Sequence, residues 1–178
     1  ISRFQVPRET PWKCDPKSEK VILEWPSGGH NAGCLGFGKD GFLYLACGDG
    51  SGIADELQTG QNIGDLLACL LRIDVDHPAP GKAYGIPADN PFVGNSTYLP
   101  EIYAIGVRNP WRWNFDPLTA NLWAGEVGNA TREEIDTVTK GSNLGWRNME
   151  GFACQPGVTC TVTDPKYTLP IAAYPHGT

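Results

Sequence analysis

Apolar residues recur along this chain in short runs, and none of the runs is long. Alternating or nearly alternating apolar positions predict strands at 1–6, 20–25, 34–38, 42–47, 70–75, 102–105, 111–115, 122–125 and 135–138. The alternation is clearest in 70–75, where Leu71, Ile73 and Val75 fall on one face and Arg72 and Asp74 on the other. Asp40-Gly41, between the runs 34–38 and 42–47, predicts a hairpin, because glycine accepts the positive φ of a tight turn. Only 63–67 predicts a short helical turn. The stretch 76–100 is rich in Pro, Gly and Asn and predicts a long ordered loop. Many strands without a long helix make the class all-β.

The pattern also echoes itself. His30-Asn31 and Arg108-Asn109 lie 78 residues apart (108 − 30), and at that offset Phe37 meets Phe115, Ala46 meets Ala124 and Gly50 meets Gly128. Each segment runs from a polar pair through strand, turn and strand into a small acidic turn, Gly48-Asp49-Gly50 in one and Glu126-Val127-Gly128 in the other. The echo predicts two equivalent four-stranded units, spread apart by the 76–100 loop. Repeated sheets that need neighbours to bury their faces predict a β-propeller, with an open sandwich as the alternative. In a propeller His30 and Arg108 would converge on one site.

Composition narrows the function. Fourteen Lys+Arg against 20 Asp+Glu give a net charge of −6, which argues against a nucleic-acid partner. No apolar run is long enough to span a membrane. Gly (22) and Pro (15) make up roughly a fifth of the chain, as short strands joined by turns require. The chain starts at Ile1 and its only Met is Met149, so it reads as part of a larger protein, a single partial domain over 1–178. None of the six Cys has the C-x-x-C spacing of a zinc or redox site. Cys154 and Cys160 flank a turn-like loop and suit a small disulfide, whereas Cys34, Cys47 and Cys69 sit in apolar strands as small core residues. Exported placement follows from that disulfide and from two Asn-x-Thr triplets, Asn95-Ser96-Thr97 and Asn129-Ala130-Thr131.

Three segments carry candidate chemistry. In Gly28-Gly29-His30-Asn31-Ala32-Gly33 the imidazole stands among glycines, and if the hairpin that follows folds back, Asp49 can reach it. A carboxylate on one ring nitrogen fixes the tautomer and leaves the other nitrogen to take a proton. The plain alternative is a loop His and a turn Asp that bonds only backbone. Arg108 emerges at a strand end, where its fork could clamp a carboxylate or quinone oxygen, or pair with a local carboxylate as a buried structural cation. Asn109, before Pro110, has a restricted backbone and offers both donor and acceptor. The acidic turn from Gly125 to Asp136 suits Ca²⁺ without EF-hand spacing, or is simply a solvated charged turn. The run Lys140 to Trp146 reads as a turn with a packed Trp and no chemistry.

These residues, in this order, resemble the glucose/sorbosone dehydrogenase family. The resemblance rests on His30-Asn31-Ala32-Gly33, Gly48-Asp49-Gly50, Leu70-Leu71-Arg72-Ile73-Asp74, Arg108-Asn109-Pro110-Trp111-Arg112, Glu133-Glu134-Ile135 and Gly141-Ser142-Asn143-Leu144-Gly145-Trp146. It implies a six-bladed β-propeller of which this chain is about half. It also implies oxidation of the C1 hydroxyl of aldoses to lactones, with pyrroloquinoline quinone and Ca²⁺ as cofactors and an electron acceptor left open. By position His30 looks like the general base, Asp49 the carboxylate that orients it, Arg108 and Asn109 the contacts to the quinone, and Gly128 and Asn129 the pair whose carbonyls face calcium. The chain departs from the family pattern at Gly29, Asn129 and Ala68-Cys69. Hedgehog-interacting-protein-like proteins share the same motifs, including Glu150-Gly151-Phe152-Ala153-Cys154, so a non-catalytic propeller that binds a protein through its 51–100 loops is the alternative.

Overall fold

A computed structural model describes residues 1–26 and 28–177, and among them it contains strands and turns and no helix. Two four-stranded antiparallel sheets form its body. The first runs β3 (Leu35–Phe37), β4 (Leu43–Cys47), β5 (Cys69–Ile73) and β6 (Ile102–Ile105) in spatial order. The second is built from β7 (Pro110–Phe115), β8 (Leu122–Glu126), β9 (Arg132–Val138) and β12 (Ala172–Pro175), with β12 added outside β9. Two small hairpins complete the fold, β1 (Ser2–Gln5) with β2 (Asp15–Val21) and β10 (Met149–Glu150) with β11 (Ala153–Cys154).

The two central strands of the first sheet are buried on both faces, which is why β4 and β5 read as apolar runs broken only at Arg72. On one face Leu43, Leu45, Cys47, Cys69, Leu71 and Ile73 pack against Ile22, Leu23 and Tyr84. The opposite face presents Tyr44, Ala46 and Leu70 to Trp113, Leu122, Ala124 and Val138 of the second sheet. Edge-to-face contacts of Tyr44 with Phe115 (5.0 Å) and Trp113 (6.4 Å) join the two sheets. Arg72 is the one cation in this layer. It is neutralised by Asp40 (2.8 Å) and Asp89 (2.7 Å), and it covers the Phe42 ring.

The echo between the two halves is real in space, with one adjustment. The turn 116–121 is one residue longer than 38–42, and a bulge between Pro110 and Arg112 restores the register at the Arg108 end of β7. Three expectations are corrected. The second strand lies earlier than 20–25, because the polar segment Asp15–Val21 pairs with β1 through its backbone while Ile22 and Leu23 leave the strand to fill the core. The segment 63–67 forms turns, not a helix: it is too short to repay nucleation, and Asp65 Oδ1 accepts from the Leu67 amide instead. The second sheet's fourth strand, β12, follows a long excursion over 139–171 that the apolar pattern did not mark. Cys47 and Cys69 are core residues as expected, Cys34 is half-buried, and Cys154–Cys160 is a disulfide.

The face that β8 and β9 turn toward the first sheet changes character along its length. The cross-strand pairs run Leu122 with Val138, Ala124 with Asp136, and Glu126 with Glu134. Asp136 is fully buried and neither of its oxygens has a partner among the described residues; Glu126 Oε2 is in the same position. Burial pushes the Asp136 carboxyl up to about 8 and Glu134 up to about 7, and lifts Glu126 well above the ordinary range. The row therefore folds largely as neutral acids. The folded chain holds these protons from about pH 4, where unfolded carboxyls titrate, to the raised values. Stability should be greatest in mild acid, fall as pH climbs from about 4 to about 8, and level off beyond. Urea midpoints across that range measure it. Asp136→Asn should flatten the fall and add about 1–3 kcal/mol at pH 8.5; a pH-independent midpoint in the parent chain would contradict the protonation.

Candidate active site

The bends that carry the candidate residues all lie at one end of the two sheets. β4 runs out into 48–50 and β8 into 127–131, while His30 and Arg108 come just before β3 and β7. Backbone bonds stitch these segments together. The Asp49 amide donates to Arg108 O (2.8 Å), the Gly50 amide to His30 O (3.1 Å), and the His30 amide to Ser51 O (2.9 Å). Residue 48 has no room for a side chain, because a Cβ there would lie 2.3 Å from His30 O and 3.1 Å from Arg108 O. His30 and Arg108 thus flank the same short segment, as the echo in the sequence predicts.

Asp49 is fully buried and each carboxylate oxygen is used. Oδ1 lies 2.8 Å from His30 Nδ1 and accepts from the Ser51 amide (2.9 Å); Oδ2 accepts from Trp146 Nε1 (2.8 Å). Accepting oxygens on that side put the imidazole proton on Nδ1 and leave the Nε2 lone pair outward. His30 remains partly open to solvent. The arrangement is an imidazole held in place by a buried carboxylate.

Arg108 is also buried, and its fork is largely spent. Nε and Nη2 donate to Ile53 O (3.2 and 2.7 Å), and Nη1 donates to Val127 O (3.0 Å) and Gly128 O (2.8 Å). Its guanidinium carbon lies 5.4 Å from the Trp146 ring. The side chain is therefore a clasp between the 51–54 loop of one sheet and the 127–128 turn of the other, with one Nη2–H left without a partner among the described residues. Asn109 accepts from the Ala32 amide through Oδ1 (3.1 Å), and its own amide donates to Glu126 Oε1. Its Nδ2 has no partner among the described residues.

The turn that follows β8 is electrically sorted. Its carbonyls at 127 and 128 face Arg108, while the amides of Asn129, Ala130, Thr131 and Arg132 all donate to Glu150 Oε1 (2.9–3.0 Å). Burial works to raise Glu150, but those amides prevail and hold it at about 2. Gly128 is required here, since a Cβ would fall 1.5 Å from Arg132 O. Of the two carbonyls expected to face calcium, that of Gly128 accepts from the Arg108 guanidinium, whose charge opposes a cation there, while Asn129 is engaged through its backbone N–H and not its carbonyl. No group of three His, Cys, Asp or Glu side chains gathers among the described residues.

Three participants were not read as functional from the sequence: Trp146, Glu150 and the reciprocal amide pair Gln61–Asn143 (3.0 and 2.8 Å). The run ending at Trp146 was visible as a turn, but nothing local shows that its indole reaches a carboxylate 97 residues away. A cavity of about 610 Å³ is lined by Gly28, Gly50, Ser51, Leu57, Thr59 and Leu67 among others, and by none of His30, Asp49, Arg108 or Trp146.

With this geometry in hand, comparison with known proteins is decisive at the family level. The sequence profile described as Glucose / Sorbosone dehydrogenase matches residues 17–175. The chain belongs to that family. Its fold is that of the family's β-propellers, of which it forms about half: it superposes on the PQQ-bound aldose sugar dehydrogenase of Streptomyces coelicolor with a TM-score of 0.72 and 25% identity, covering 98% of this chain and 45% of that one. Among curated relatives, the HIPL2 protein of Arabidopsis thaliana is 39% identical over 165 residues (85% of this chain, 24% of the relative). The human Hedgehog-interacting protein is 33% identical over 118 residues (65% and 17%). The chain thus spans about half the length of the solved relative and a quarter or less of these curated ones. Family membership accounts for the series of motifs in order, and the sorted 127–132 turn is built on Gly128 and Glu150. Removing the glutamate should unfasten the turn: Glu150→Ala strands four amides and should cost about 3 kcal/mol in chemical denaturation at pH 7, a loss under about 1 kcal/mol contradicting the assignment.

Proposed function

We propose that the protein containing this chain oxidises the C1 hydroxyl of aldoses to lactones, with His30 as general base and Asp49 as its orienting carboxylate. The observation that carries the reading is the His30–Asp49 contact at 2.8 Å, with the carboxylate fully buried and the second ring nitrogen left open. The proton of the C1 hydroxyl passes to His30 Nε2 as the C1–H bond breaks and the carbonyl forms. When bound, pyrroloquinoline quinone supplies the acceptor for the departing hydride. Its acidic and quinone oxygens suit the donors this end of the sheets has to spare, the Asn109 amide and the remaining Nη2–H of Arg108. Arg108 acts mainly by holding the 53 and 127–128 backbones in place, and its charge biases the site toward an anionic ligand. No role is assigned to calcium. Exported placement accords with the Cys154–Cys160 disulfide.

A second reading has support of its own. Identity to the HIPL2 protein is 39%, and a relative is named for its interaction with Hedgehog. Arg108 is committed to carbonyls, which a non-catalytic scaffold would need as much as an enzyme. In that reading the 51–100 loops bind a protein ligand.

Full-length protein supplied with the quinone and assayed for dye reduction by aldoses separates the two. Turnover should be found, and His30→Ala should lower kcat by about 10²–10⁴-fold with quinone binding retained. Turnover that survives in His30→Ala overturns the base. A wild-type protein that binds the quinone but turns over no aldose, and binds a Hedgehog-type ligand, establishes the scaffold instead.

A further inference from the structure

Trp146 carries no chemistry by sequence pattern, yet it touches both halves of the candidate site. Its indole Nε1–H donates to Asp49 Oδ2 at 2.8 Å, and its ring lies under the Arg108 guanidinium, 5.4 Å from the carbon. The residue is itself buried and held at its backbone: its amide donates to Gly106 O (2.9 Å) and its carbonyl accepts from Gln61 Nε2. Gln61 is in turn locked to Asn143 by the reciprocal amide pair. The backbone that carries the indole is thus fixed, and the indole aims its only donor at the far oxygen of the carboxylate that holds His30.

The geometry is that of a three-member relay, indole to carboxylate to imidazole. Oδ1 of Asp49 takes two donors, His30 Nδ1 and the Ser51 amide, whereas among the described residues Oδ2 takes only Trp146. Without the indole, Oδ2 is a buried carboxylate oxygen lacking a partner, and the group is free to rotate about its own axis in search of one. Rotation moves Oδ1 off the imidazole, and the preference for a proton on Nδ1 goes with it. We propose that Trp146 is a positioning residue: by fixing the Asp49 carboxylate it fixes the tautomer of His30 and keeps Nε2 as the base. The part of this that concerns catalysis rests on the sugar-oxidation reading above; the part that concerns the tautomer does not.

The test is nitrogen-15 NMR of the His30 ring in the full-length protein, wild type against Trp146→Phe, which keeps an aromatic ring and deletes the N–H. Wild type should show a single Nδ1–H form with a downfield, exchange-protected Hδ1 resonance. In folded Trp146→Phe the Nε2–H form should appear beside it and the downfield resonance should fade, and kcat for aldose oxidation should fall roughly tenfold with KM little changed. A folded variant whose His30 spectrum matches wild type overturns the proposal. If Trp146→Phe does not fold, the indole Nε1–H resonance of the wild type decides: it should move upfield in Asp49→Asn, and an unmoved resonance overturns the proposal. A locked tautomer in a wild-type protein that oxidises no aldose would sink the enzymatic reading and leave the role of Trp146 standing.

Discussion

The buried carboxylate of Asp49 is the point on which this end of the molecule depends. It lies beyond the reach of water, so each oxygen must be satisfied by the protein. The groups that satisfy it come from far apart in the chain: His30 before β3, Ser51 just after the turn, and Trp146 in the excursion between β9 and β12. Its backbone is equally committed, with its amide donating to Arg108 O and its carbonyl accepting from Thr59 Oγ1. A charge that must be solvated by the fold forces those segments to meet. The placement of the His30 imidazole against Asp49 is a product of that requirement.

Around this centre the two sheets are joined by oppositely charged side chains working on backbone. Arg108 gathers carbonyls from the 53 loop and the 127–128 turn, and Glu150 gathers the amides that the same turn leaves on its other side. A loop of peptide dipoles held between a guanidinium and a carboxylate is stiff without needing a core. The price of this arrangement is that Arg108, which the family pattern offers as a ligand-facing residue, has little of its fork left for a ligand.

Much of the fold was legible from residues alone because both faces of the first sheet are apolar. The alternation across Leu70, Leu71, Arg72 and Ile73, the Asp40-Gly41 turn and the 78-residue echo gave strands, hairpin and duplication. What escaped was whatever depends on backbone pairing without burial. β2 is polar and exposed along most of its length, and β12 is exposed at three of its four positions. In the site, His30 with Asp49 was legible because a single hairpin closes them. Trp146, Glu150 and the commitment of Arg108 to carbonyls are consequences of tertiary approach, and the identity of a residue does not announce which distant oxygen it will meet.

Residue 48 sets the gauge between the two repeats. With only a hydrogen there, the carbonyls of His30 and Arg108 both close on the space a side chain would take. Evolution can vary the loops that ring this junction in length and composition, and can exchange what they recognise. It cannot add a methyl group at that crossing without prising the halves apart, so diversification of such a scaffold is channelled outward to its rim.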